Sequence, residues 1–360
     1  MKLPRITILA TLLLTAPAAA QLQITPPATT PSPPAEKQKA KPPAPAKKKE
    51  AAPAPKPSAS PKPAPSSKPT PTPTVIPAPP TDNSNADLVF GAYQRGQYKT
   101  AFDLATARAQ AGDPKAMTML GELYSNAMGI RRDYVKAADW YKRAADAGDR
   151  EAMFALAMLR ISGRGGTVDK GEAVRLMASA AKLGEPKAAY NLALLYLDGQ
   201  TLPQDVKRSA ELLRQAADAG LPEAQYALAT FYKEGTGVPK DPERAVRLLQ
   251  AASLADNVDA EVEYAIAMFN GTGTPKNQPA AVALLRKASR QGSAIAQNRL
   301  AWVLINGVGV PMDKVEGFKW HLVAKTAGKG DPELDKQLSD LPAEERAKAE
   351  AAAKKWLGSK

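Results

Sequence analysis

From Asp113 onward the apolar positions follow the period of a helix, and the helices themselves recur. Ala116, Leu120, Leu123 and Ala127 stand at i, i+4, i+7 and i+11, one stripe of a helical surface. Asp113 and Pro114 supply an N-cap and a proline at the first helical position, so the spacing predicts a helix to about Asn126. A glycine-bearing loop follows, and Asp133 opens a second helix in which Ala137, Trp140 and Ala144 share the inward face.

The pair returns every 36 residues. Ala116, Ala152, Ala188, Ala224, Ala260 and Ala296 keep phase, as do Leu120, Leu156, Leu192, Leu228, Tyr264 and Leu300. The cap column reads Asp133, Asp169, Asp205, Asp241, Asn277 and Asp313, and a second alanine column runs from Ala144 to Ala324. Gly112, Gly148, Gly184, Gly220, Asp256, Gly292 and Gly328 mark the unit ends, where a left-handed residue turns the chain toward the next helix. Columns in phase over six units predict an all-α fold, a right-handed α-solenoid of helix–loop–helix repeats spanning 113–328. A capping hairpin is expected over 86–112, with its loop around Ala92–Tyr98. Two closing helices, Asp331–Leu338 and Pro342–Leu357, are expected within 329–360.

The first unit shows Ala116, Leu120, Gly121, Tyr124, Asp133, Ala137, Trp140, Ala144, Ala145 and Gly148. Gly235-Thr-Gly-Val238 with Asp241, and Gly307-Val-Gly-Val310 with Asp313, give the clearest loops. This pattern resembles the Sel-one-like repeat, a relative of the tetratricopeptide repeat. The resemblance implies a binding scaffold rather than an enzyme, and in exported bacterial members a regulator or assembly factor of the envelope. Three positions depart from the pattern: Thr201 in place of the second loop glycine, Asp256 in place of a terminal glycine, and Tyr264 in place of leucine.

The first 85 residues read differently. Lys2 and Arg5 precede an apolar run, Ile6–Leu14, and then Ala18-Ala19-Ala20, as in a secretory signal cleaved near Ala20. Residues 21–85 hold 20 of the 33 prolines and 9 lysines but no aromatic residue, which predicts a disordered Pro/Ala/Lys-rich linker. In polyproline II it would reach on the order of 150–190 Å. Its lysines allow weak contact with anionic cell-wall polymer or lipid head groups. The mature chain is thus expected to be periplasmic or secreted, with no transmembrane segment.

Charge and chemistry narrow the function. The net charge of +13 sits largely on the signal and linker, whereas 86–360 is close to balanced, so a nucleic-acid partner is not expected. With no cysteine, thiol catalysis and a Cys-based metal site are excluded, and with His321 as the one histidine a His relay or His-based metal site is not expected. The loop Gly163-Arg-Gly165-Gly166 has no strand before it and reads as an interhelix turn. No catalytic residue, cofactor or metal is expected. Binding is expected on the first helix of each pair, the concave side of a tetratricopeptide-like stack. There Phe154, Met158, Tyr190, Leu194, Tyr226, Thr230, Lys233 and Trp302 form a candidate stripe for a partner protein or peptide. Two readings stand for that stripe: an exposed groove, or packing between adjacent first helices. A docking role at peptidoglycan through the basic linker is the alternative function.

Overall fold

The computed structural model describes residues 84–359, with side chains from Leu88 onward. The export signal expected at 1–20 lies outside those residues, as does the expected linker up to residue 83. Sixteen helices and no strand stand among the described residues. α1 (Ser84–Gln94) and α2 (Tyr98–Gln110) form the leading hairpin. The repeat pairs are α3 (Pro114–Asn126) with α4 (Tyr134–Asp146), α5 (Arg150–Ser162) with α6 (Lys170–Lys182), and α7 (Pro186–Asp198) with α8 (Val206–Asp218). They continue as α9 (Pro222–Glu234) with α10 (Pro242–Leu254), α11 (Val258–Asn270) with α12 (Gln278–Arg290), and α13 (Ala294–Asn306) with α14 (Lys314–Thr326). α15 (Pro332–Ser339) and α16 (Ala343–Gly358) close the chain. From α1 to α14 each helix packs on the next in sequence, and α16 packs back on α14, which makes the repeats an α-solenoid.

The cap column begins the second helices and also straps the loops. Asp133, Asp169, Asp205, Asp241, Asn277 and Asp313 each accept a hydrogen bond from a backbone N–H in the first turn that follows. Their own N–H groups donate back to the first helix: Asp133 to the Tyr124 carbonyl at 3.1 Å and Asp241 to that of Tyr232 at 2.9 Å. The first helices are capped by Asp113, Asp149, Glu185, Asn257 and Ser293. Leu221 caps α9 with no side-chain bond, leaving Pro222 to open it.

Three left-handed residues turn the chain in each unit except the one that carries Thr201, which has two. The unit-end glycines have φ between 73° and 98°, and Asp256 takes their place at φ 58°, held by Lys287 Nζ at 2.8 Å. Ala127, expected on the apolar stripe, is instead the exposed left-handed C-cap of α3, because the helix ends one residue earlier. The leading hairpin also turns more tightly than expected. Its loop is only 95–97, Ala92 is buried in α1 and Tyr98 already opens α2.

The second loop glycine sets the spacing between units. A Cβ on Gly237 would lie 2.7 Å from the carbonyl oxygen of Val206, which opens the second helix of the preceding unit. Thr201 occupies this column once. Among the described residues Ala127 and Asp256 are the only non-glycine residues with positive φ, so the loop at Thr201 follows another backbone path.

Alanine fills the closest approaches. Ala144, Ala180, Ala216, Ala252, Ala288 and Ala324 are all completely buried, and Leu120, Leu156, Leu192, Leu228 and Leu300 are buried in the other column. Each such leucine contributes about 1.5–3 kcal/mol of apolar burial. Tyr264, the departure in that column, stays half-exposed.

The C-terminal end is closed by α15 and α16. His321, the single histidine of the chain, is fully buried, and its Nε2 lies 2.8 Å from Asp335 Oδ1. Lys325 Nζ donates to the same oxygen, and these hydrogen bonds from Lys325 and His321 hold the Asp335 carboxyl below the usual carboxylate range. Trp320 meets Trp356 edge-on at 5.1 Å, with Lys319 Nζ 4.0 Å from the Trp320 ring.

Gly112 and Gly237 separate two uses of glycine. Both have positive φ, but a Cβ on Gly112 meets nothing within 4 Å. Gly112→Ala is expected to cost about 1–2 kcal/mol, the left-handed penalty alone. Gly237→Ala adds overpacking against α8, for about 2–5 kcal/mol in all. Urea unfolding of the two variants measures the difference; equal losses would show that the loop does not set the spacing.

Candidate partner-binding face

The first helices α3, α5, α7, α9, α11 and α13 present the candidate stripe, and burial divides it. Phe154, Met158, Tyr190, Tyr226, Thr230, Lys233 and Trp302 are half-buried, so part of each side chain reaches solvent. Leu194 is buried, as are Val262, Phe269 and Ile305 at equivalent positions. The stripe therefore mixes packing residues with partly open ones.

Local bonds fix several members. Thr230 Oγ1 donates to the Tyr226 carbonyl at 3.2 Å, so its hydroxyl is turned back onto its own helix. Lys233 Nζ pairs with Glu263 Oε2 of α11 at 2.7 Å, bridging two successive first helices. Tyr93 makes the matching bridge at the other end, donating to Glu122 Oε1 at 2.7 Å. These cross-helix bonds hold the first helices in register along the face.

The hydroxyls of Tyr190 and Tyr226 differ, having no hydrogen-bond partner among the described residues. Burial pushes the Tyr190 hydroxyl up to about 12, helped by nearby Glu223. Burial likewise pushes Tyr226 up, with Glu263, Asp259 and Glu234 adding to it. Two aromatic rings thus sit in the face with free hydroxyls and carboxylates around them. That setting suits a partner group that packs on a ring while accepting from or donating to its hydroxyl.

Sequence reasoning passed over a second arrangement. On the second helices, Arg214 Nη2 lies 3.3 Å and Arg244 Nη1 3.5 Å from the hydroxyl of buried Tyr232. Burial alone would raise that hydroxyl, but the bonds from Arg244 and Arg214 outweigh it and lower its pKa. The signal in the sequence is a pair of cations 30 residues apart, Arg214 and Arg244, an offset that the 36-residue repeat does not contain. Among the described residues no three acidic or His groups are placed to hold a metal ion, and no helix is long and apolar enough to cross a membrane.

Comparison with known proteins agrees with this geometry. The family model described as "Sel1 repeat" matches six consecutive segments, 114–149, 150–185, 186–221, 222–257, 258–293 and 294–329. A Sel1 repeat protein from Oxalobacter formigenes is 24% identical, with a TM-score of 0.57, over 67% of this chain and 96% of that one. The protective antigen c5321 of uropathogenic Escherichia coli, described as displaying an SLR fold, is 23% identical over 77% of this chain and 68% of that one, with a TM-score of 0.49. A putative Sel1 repeat protein from Klebsiella pneumoniae is 24% identical over 56% and 98%, with a TM-score of 0.38. No curated protein matches the chain significantly.

The raised tyrosines give a pH signature. Above the ordinary tyrosine pKa near 10 the unfolded chain ionises Tyr190 while the folded chain keeps it neutral. Its contribution to stability is fully present below pH 10 and is lost as pH rises from about 10 through about 12. Tyr190→Phe is expected to lose less stability over that range than the unaltered chain. Urea midpoints at pH 9 and pH 11 measure it, and parallel losses would place the hydroxyl in open water.

Proposed function

Because the chain belongs to the Sel1 repeat family, whose solenoids bind protein partners, we propose that it is a non-enzymatic, exported interaction scaffold. It takes a partner protein or peptide on the concave, first-helix face, and works in the periplasm or outside the cell. The observation that carries this reading is the half-open aromatic series Phe154, Tyr190, Tyr226 and Trp302, in which two hydroxyls lack a protein partner. Aromatic side chains of this kind supply large contact area at low entropic cost and dominate interface energetics. Leu194, being buried, supports the face from beneath rather than touching the partner.

Export rests on the charged start, short apolar run and alanine-rich cleavage site of the first 20 residues. The lysine-rich stretch that follows adds reach and a weak hold on anionic polymer.

Capture from envelope extracts tests the proposal. Tyr190→Ala combined with Tyr226→Ala is expected to remove a partner protein that the unaltered chain retains, with little change in melting temperature. A large melting loss would instead make the tyrosines part of the core. Loss of capture on deleting residues 21–85, with sedimentation on purified wall lost in parallel, would favour docking through the linker.

A further inference from the structure

The solenoid contains its own comparison for the Tyr232 arrangement. One position on a second helix and another on the second helix of the next unit, 30 residues later, face each other across the junction. At one junction these are Arg286 and Glu316, joined at 2.9 Å. At another, Lys142 lies within electrostatic reach of Glu172, which itself pairs with Arg160 at 2.6 Å. Both junctions answer the cation at the first position with a carboxylate at the second. The junction between α8 and α10 has Arg214 and Arg244 at the same two positions, both directed at the Tyr232 hydroxyl.

The charge there is not balanced. Asp241 Oδ2 reaches Arg244 at Nε, 3.1 Å away, which leaves Nη1 on the tyrosine side. Arg214 makes no ion pair among the described residues, although Asp218 stands one turn away on the same helix. Arg208, the nearest cation in the repeat register, is taken by Glu211 at 2.8 Å. Two exposed guanidinium groups thus converge on the part-buried hydroxyl of Tyr232, with several N–H donors unused.

We propose that Arg214 and Arg244, held apart by the Tyr232 hydroxyl, clamp a carboxylate side chain from an acidic segment of a partner protein. The chain's own junctions argue for a carboxylate rather than a phosphate, since Glu316 and Glu172, standing where Arg244 stands here, supply the carboxylate that this junction lacks. A glutamate entering between the arginines completes a cation–carboxylate–cation bridge, and its second oxygen accepts from the tyrosine. The two arginines lie on second helices and Tyr232 on the first helix α9, outside the aromatic stripe, so the clamp does not depend on that stripe.

The test uses the full chain labelled with nitrogen-15 arginine and a blocked hexaglutamate peptide as probe. The lysines of the linker attract the peptide in every variant, so binding is read on the side-chain Nε–H signals of Arg214 and Arg244, identified with R214K and R244K. Both signals are expected to move together and to saturate, and inorganic phosphate at equal ionic strength moves them less. R244E reproduces the Arg286–Glu316 pairing, so it should keep or raise the melting temperature while weakening peptide affinity at the Arg214 signal at least about 10-fold. R244Q removes the charge without adding an acid; it should weaken affinity in the same direction and replaces R244E if that variant does not fold. The proposal is overturned if the peptide leaves both signals unmoved, if the shifts never saturate, or if the charge-removing variant binds as the unaltered chain does. Phosphate binding as tightly as the peptide overturns the acidic-segment source.

Discussion

The structure depends on one close approach, repeated along the chain. In each ordinary unit the second loop glycine lies so near the first turn of the preceding second helix that no side chain fits between them. Gly129 meets Tyr98, Gly165 meets Tyr134, Gly237 meets Val206 and Gly273 meets Pro242. This contact joins units rather than residues within a unit, so it sets the step from one repeat to the next. The fully buried alanine column works at the same scale, since only a methyl fits where the helices come closest. Once the step is fixed, residues 30 or 36 apart are held in constant relation. Both the aromatic face and the arginine pair follow from that constancy.

Stability in such a stack is a sum of units and junctions, and its ends need separate treatment. At the C-terminus, α14 would leave Trp320 and His321 uncovered without the two closing helices. Trp356 covers the tryptophan and Asp335 satisfies the histidine Nε2. Lys325 shares the same carboxylate oxygen, so Asp335 carries negative charge against two donors. The N-terminal end is less finished. Leu88 and Phe90 of α1 remain about half exposed although the hairpin buries Val89 and Ala92 beside them.

The repeat architecture was legible because every unit spends the same residues on the same backbone tasks. The cap column predicted the starts of the second helices, and the unit-end glycines predicted the left-handed turns, Asp256 included. The outcome at Ala127 was not legible. An alanine at i+11 continues an apolar stripe on paper, yet the column holds glycine in all later units, which marked a helix end instead. Exposure along the first helices was likewise hidden, because Leu194 and Tyr190 share a helix face and differ only in how the neighbouring helices cover them. Burial there depends on the rotation between units, which a periodic pattern does not encode. The arginine pair needed a third offset that neither the helix period nor the repeat period contains.

Charge distinguishes the two faces. Around Tyr190 and Tyr226 the nearby ionisable groups are Glu223, Glu234, Asp259 and Glu263, with Lys233 already committed to Glu263. The α8–α10 junction presents the opposite sign through Arg214 and Arg244. A partner that spans both faces must therefore carry basic or neutral groups toward the tyrosines and acidic groups toward the arginines. A uniformly charged polymer satisfies only one of them, and repulsion at the other face counts against it. Salt separates the two contributions, because exposed pairs weaken with ionic strength while aromatic burial does not.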